Sequence, residues 1–134
     1  MDTEKGARME IIIKNSDHRP LYEQIAAQIR AKILNGDLKP GEALPSIRNL
    51  ARDLKLSVIT TKRAYDELET AGLIDSIAGK GCFVTNTARN QEILIEQRNQ
   101  ELERRVSEIV RLAKDNGVEY ETLSDILRIC WDEL

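Results

Sequence analysis

Long apolar runs are absent from this 134-residue chain: none exceeds three residues, as at Ile11 to Ile13 and Ile93 to Ile95, whereas a membrane span needs roughly 20. No membrane partner is therefore expected. Aromatics are scarce, with one Trp, one Phe and three Tyr, so at 41% hydrophobic residues the chain can build only a small core and is expected to complete it by association. With one histidine, His18, no His-His metal pair can form, and no metal or other cofactor is expected. The two cysteines, Cys82 and Cys130, lack C-x-x-C spacing and fall in a strand pattern and a helix pattern, so reduced, partly buried thiols are expected. The N-terminal MDTEKGARMEI mixes charges and has no apolar stretch of signal-peptide type, which points to the cytoplasm. A net charge of −3 speaks, taken alone, against a polyanionic partner.

Catalysis is not expected either. Glu101 with Glu103, and Asp132 with Glu133, fall on polar helix faces rather than in a cleft. No Ser, Cys or Thr has a visible base partner, and the glycines lack the spacing of a phosphate-binding loop.

What the chain does carry is periodicity. Met9 to Lys14 reads as a short strand rich in isoleucine, followed by the polar break Asn15-Ser16-Asp17. Pro20 suits the first turn of a helix on which Leu21, Ile25, Ile29 and Ile33 share one face, and Asn35-Gly36 stops it. Ser46 caps a second helix with Ile47, Leu50, Ala51 and Leu54 on its inner face. After Lys55-Leu56-Ser57, a third helix capped by Ser57 turns Thr61, Ala64, Tyr65 and Leu68 inward, with Ile59, Arg63, Asp66 and Thr70 outward. Two short helices across a tight turn make a helix-turn-helix pattern. Leu73 to Ile77, the turn Ala78-Gly79-Lys80-Gly81, and Cys82 to Thr85 then read as a hairpin, a candidate wing.

Beyond a polar connector, Asn86 to Asn90, the composition becomes helical and acidic. Ile95, Leu102, Val106, Ile109, Val110 and Ala113 form a near-heptad stripe up to Asn116-Gly117. A last helix, capped at Thr122 or Ser124, aligns Leu123, Ile126, Leu127, Cys130, Trp131 and Leu134. Trp131 could line a ligand pocket, but core or dimer contact is the expected role, because it supplies area the chain otherwise lacks.

Leu44-Pro45-Ser46-Ile47-Arg48-Asn49-Leu50-Ala51 and Leu56 to Leu68, with Pro20 to Ile25 before them and Leu73-Ile74 and Gly79-Lys80-Gly81-Cys82-Phe83-Val84 after, resemble the DNA-binding domain of the GntR family of bacterial transcription regulators. The likeness covers about residues 9 to 86, and the short helical tail resembles the YtrA-like branch, in which two helices serve dimerisation. It implies a mainly α (α+β) fold, with a winged helix-turn-helix domain at 1–86 and a two-helix dimerisation arm at 87–134. The partner implied is double-stranded operator DNA, bound by a homodimer that most simply acts as a repressor. A 24-residue helix from Gln91 to Lys114 would extend roughly 36 Å, enough to reach a second subunit. Leu102, Val106, Ile109, Val110, Leu123, Leu127 and Trp131 are the expected contacts of the arm. No ligand set identifies a small-molecule effector.

By resemblance Arg48 reaches the major groove, Lys62 stands where an Arg is usual, and Gly79 and Lys80 form the wing tip near the minor groove. Thr60 and Thr61 match phosphate-contacting positions, and because the helical wheel turns Thr61 inward, Thr60 is favoured. Ser46 and Ser57 could touch phosphate, though capping alone explains them. Arg52 and Arg63 add charge to the same surface. Val58 replaces a frequent Arg, and with the outward Ile59 it leaves room for contact with thymine methyls.

Charge locates the contradiction. Residues 46–65 carry five basic side chains against one acidic, and 66–75 carry four acidic and none basic. Residues 1–90 sum to +2 and residues 91–134 to −5, so the tail makes the chain acidic while the reading head stays mildly basic. The alternative is a winged helix that binds protein. The acidic total and Val58 favour that reading, and the basic patch with its intact Gly79-Lys80-Gly81 tip opposes it.

Overall fold

The computed structural model describes residues 9–134, with Ala88 and Arg89 described in backbone only. It contains α1 (Leu21–Leu34), α2 (Ile47–Leu54), α3 (Val58–Thr70), β1 (Ile74–Ile77), β2 (Gly81–Val84), α4 (Ala88–Asp115) and α5 (Tyr120–Glu133). The mainly helical class with one small antiparallel hairpin is the class expected. Contacts divide the chain into a first unit ending at Ile95 and a second from Glu96 to Leu134. The reading of the N-terminus as free of a signal falls largely on residues 1–8, outside the described residues.

The first unit is built on α3. Its inner face, Thr61, Ala64, Tyr65 and Leu68, is buried as the periodicity predicts, and both α1 and α2 pack on it. Ile25 and Ile29 from α1 are fully buried, each contributing about 1.5–3 kcal/mol of transfer free energy. Pro20 lies one position outside the first turn, as the N-cap residue of α1. Asn35 ends that helix and Gly36 follows at φ +89°, a conformation that costs glycine little.

Met9 to Lys14 is not a strand. Its backbone runs extended along α1 and has no neighbouring strand; two glutamines take that place. Gln28 accepts from the Ile12 amide at 2.8 Å and donates to the Ile12 carbonyl at 2.6 Å, and buried Gln24 accepts from the Lys14 amide at 2.9 Å while donating to the Lys14 and Arg19 carbonyls. Satisfied backbone groups without a ladder explain why strand-like composition gives no strand.

In the hairpin, Ile74 pairs with Val84 and Ile77 with Gly81. The turn needs positive φ at Gly79 (+77°) and Gly81 (+111°). On its other side β2 meets the chain before α2: the Leu44 amide donates to the Cys82 carbonyl and the Val84 amide to the Glu42 carbonyl, both at 2.9 Å. The wing is thereby tied to the start of the helix-turn-helix.

Most of the expected connector is helix. α4 begins at Ala88, with Thr87 accepting from the Asn90 amide, and buried Thr85 is bonded by the side chains of Asn90 and Gln91. Leu94 lies in the core of the first unit. In the second unit, Gly117 at φ +72° ends the turn after α4. α5 starts at Tyr120 with Glu119 as N-cap residue and no side-chain cap, so Thr122 and Ser124 are interior rather than capping. The Val118 amide bonds back to the Ala113 carbonyl at 2.8 Å, which leaves one residue, Glu119, before the next helix opens. Cys82 is half-buried as expected, but Cys130 is exposed on α5, because in the chain alone nothing covers that face.

Candidate nucleic-acid interface

Both helices of the helix-turn-helix start on serine caps. The Ser46 hydroxyl accepts from the Asn49 amide at 3.0 Å, and the Ser57 hydroxyl accepts from the Thr60 amide at 3.0 Å while donating to the Thr60 hydroxyl at 2.8 Å. The turn between them is held by Lys55 in the left-handed region, at φ +58° and ψ +42°. Tyr65 fixes the pair from below: its hydroxyl, in a buried ring, donates to the Pro45 carbonyl at 2.6 Å, immediately before the Ser46 cap. Burial pushes this phenol well above its ordinary pKa, an effect the nearby Cys82 increases.

The outer surface holds the cations. Arg48 and Arg52 are exposed on α2, and the Arg52 guanidinium donates to the Asn49 side chain at 2.8 Å. Lys62 is exposed on α3 and ion-paired with Asp66 at 2.8 Å, so the hydrogen bond and charge of that carboxylate raise its pKa. Arg63 is directed to α1: its guanidinium carbon lies 3.9 Å from the centre of the Tyr22 ring, and it also donates to the Tyr22 hydroxyl at 3.2 Å. Thr60 is half-buried. Thr61 is fully buried, its hydroxyl donating to the Ser57 carbonyl, as the wheel indicates. Gly79 and Lys80 are exposed at the tip of the hairpin. Val58 and Ile59, in the first turn of α3, are 50% and 80% exposed. Among the described residues no cluster of His, Cys, Asp and Glu is arranged to hold a metal ion.

Sequence reasoning did not find Tyr22, Gln24, Gln28 or the Tyr65 hydroxyl as organising groups. The only available signal was weak: polar atoms recurring on otherwise apolar helix faces, each of which needs a partner when buried.

The elements of the first unit, three helices with a serine-capped pair and a glycine-tipped hairpin, define a winged helix-turn-helix with exposed basic side chains on its outer surface. Residues 21–84 match the family described as bacterial regulatory proteins, gntR family, and the chain belongs to this GntR family of DNA-binding transcription regulators. Within it the chain is 33% identical over 109 residues to the HTH-type transcriptional repressor YtrA of Bacillus subtilis, covering 81% of this chain and 82% of the relative. That alignment is longer than the whole first unit and so extends into the second. A GntR family transcriptional regulator from Listeria monocytogenes has a similar structure, with TM-score 0.70 and 28% identity over 84% of this chain and 96% of that one. The DNA-binding domain of AraR, solved in complex with operator ORX1, is similar over 57% of this chain and 96% of its own, with TM-score 0.52 and 26% identity.

Proposed function

We propose that the protein is a homodimeric repressor that occludes a promoter by binding a pseudo-palindromic operator. In this reading residues 1–86 are the DNA-binding head, with α3 in the major groove and the Gly79-Lys80 tip near the minor groove. Arg48 meets base edges, Lys62 meets a guanine or a phosphate once parted from Asp66, and Arg52, Thr60 and the N-cap serines lie along phosphates. Arg63, stacked on Tyr22, acts at the edge of this surface through its remaining donors. A B-DNA major groove roughly 12 Å wide admits one helix, and twofold symmetry then sets the reading helices about 34 Å apart. The YtrA relative is named a repressor, and AraR's domain sits on an operator; both support the reading. Such a regulator works on the bacterial chromosome, in the cytoplasm. Among the described residues no helix is long and apolar enough to cross a membrane.

One observation carries the homodimer: Ala113 is the only buried residue of the second unit. Leu102, Val106, Ile109, Leu127 and Trp131 are exposed, Trp131 at 81%, and Val110 and Leu123 are half-buried. A groove of about 260 Å³ opens between the end of α4 and α5, lined by Val106, Val110, Val118, Leu123 and Leu127. Helices that bury so little do not offset the entropy of ordering, so within residues 87–134 the part from Glu96 onward acts as a dimerisation arm covered by a second copy, the first turns of α4 being anchored in the first unit through Leu94. Selection of random duplexes on the purified protein tests the function. Recovery of a palindrome is expected, and no enrichment at low salt overturns the reading.

A further inference from the structure

The tip of the reading helix is apolar, and the polar groups around it are already engaged. The Ser57 hydroxyl is bonded both as acceptor and as donor to Thr60, Thr61 is buried, and the Lys62 ammonium is held by Asp66 one turn further along. What projects freely from the first turn of α3 is the Ile59 side chain, 80% exposed, beside Val58. The unbonded amides of a helix N-terminus suit phosphate rather than base edges. In the major groove the largest apolar feature of the four base pairs is the thymine C5 methyl; cytosine offers only a C5–H there, and the remaining edge groups are hydrogen-bond donors and acceptors. An Ile side chain pressed on such a polar edge would leave it desolvated without a partner, which is unfavourable.

Resting on the DNA-binding reading above, we propose that Ile59 is a specificity-determining residue that selects a thymine by contact with its C5 methyl, with Val58 closing the other side. Discrimination at that base pair then comes from apolar burial and not from a hydrogen-bonding pair. It is correspondingly modest: about fourfold per half-site for one buried methyl, and roughly tenfold or more when both half-sites of a dimer are changed.

The test uses the full-length chain and the duplex recovered by selection. Each thymine is replaced in turn by uracil, which removes the methyl and keeps every hydrogen-bonding group, and affinities are measured for the unmodified protein and for Ile59→Ala. The expected result is one thymine per half-site at which uracil weakens the unmodified protein about fourfold and Ile59→Ala not at all. Uracil tolerated at every position, or an equal loss in both proteins, overturns the proposal while leaving the regulator reading intact. Failure to select any sequence overturns both. Ile59 makes no buried contact, so Ile59→Ala should melt with the unmodified protein, and Ile59→Val should retain part of the discrimination.

Discussion

Replacing Tyr65 by Phe removes one oxygen atom and keeps the ring that packs between α3 and the rest of the core. The hydroxyl donates to the Pro45 carbonyl at 2.6 Å, and both residues are buried. Deleting the donor strands that carbonyl where water does not reach it, a loss of about 1–3 kcal/mol. In a unit of this size each kcal/mol moves the midpoint of thermal unfolding by about 4–8 °C, so Tyr65→Phe should melt at least about 4 °C lower near neutral pH. The same substitution has an alkaline signature. An unfolded tyrosine ionises near pH 10, while burial raises the folded pKa above that value. The contribution of the neutral, bonded phenol is therefore complete below about pH 10 and is lost as pH rises beyond it. The unmodified protein should thus lose stability more steeply than Tyr65→Phe above about pH 10, and the two curves should converge. Melting followed by circular dichroism across that range measures both effects. Equal midpoints near neutral pH, or parallel curves above pH 10, would refute the claim that this hydroxyl ties α3 to the start of α2.

Other perturbations address the surface and the arm. Arg48→Ala should weaken binding to the selected operator by about 1–3 kcal/mol in fluorescence anisotropy; unchanged affinity would remove Arg48 from the base contacts. Asp66→Asn frees the Lys62 ammonium, and operator binding should become tighter, with a salt dependence steeper by roughly one phosphate contact; an identical slope would show that Lys62 does not reach the backbone. Glu101 bonds to Arg104 at 2.9 Å and Arg105 at 3.2 Å, and these guanidinium groups lower its pKa from 4.5 to about 2. Because the folded value is depressed, this support for α4 is present above about pH 4.5 and fades as pH falls through about 2, and far-ultraviolet circular dichroism of Glu101→Gln should lack that acid-limb component. Trp131→Ala should weaken self-association roughly 30-fold in sedimentation equilibrium; an unaltered association constant would place the dimer contact elsewhere.

Much of the first unit is legible in the sequence because its signals are local. Ser46 and Ser57 announce helix starts, the Thr61-Ala64-Tyr65-Leu68 face follows the helical period, and Gly79 and Gly81 mark the turn; each agrees with the observed element. What sequence reading missed depends on partners distant along the chain. The orientation of Arg63 is decided by Tyr22, 41 positions away, and the state of Met9 to Lys14 by glutamines on α1. Around Thr122 and Ser124 cap-forming residues were present but unused, because the bond from Val118 to Ala113 had already set where the next helix opens. The basic surface is partly legible for the same reason: the pairing of Lys62 with Asp66 four residues on follows from helical spacing, whereas the pairing of Arg63 with Tyr22 does not.

The two glutamines that hold the N-terminal segment also act as a ruler. Gln24 and Gln28 are separated by four residues of helix, a rise of about 6 Å, and they grip Ile12 and Lys14, two residues of extended chain spanning about 6.6 Å. Because both glutamines bind main-chain groups two residues apart, a slip by one residue would turn the opposite face of the segment toward the core. The match decides which members of the isoleucine triplet go inward: Ile11 is buried and Ile13 half-buried, while Ile12 faces out. Deleting Lys14, just after the triplet, would therefore shift it by one position and place two isoleucines in water and one against the core. The spacing of these residues, more than their hydrophobicity, is what the segment must keep.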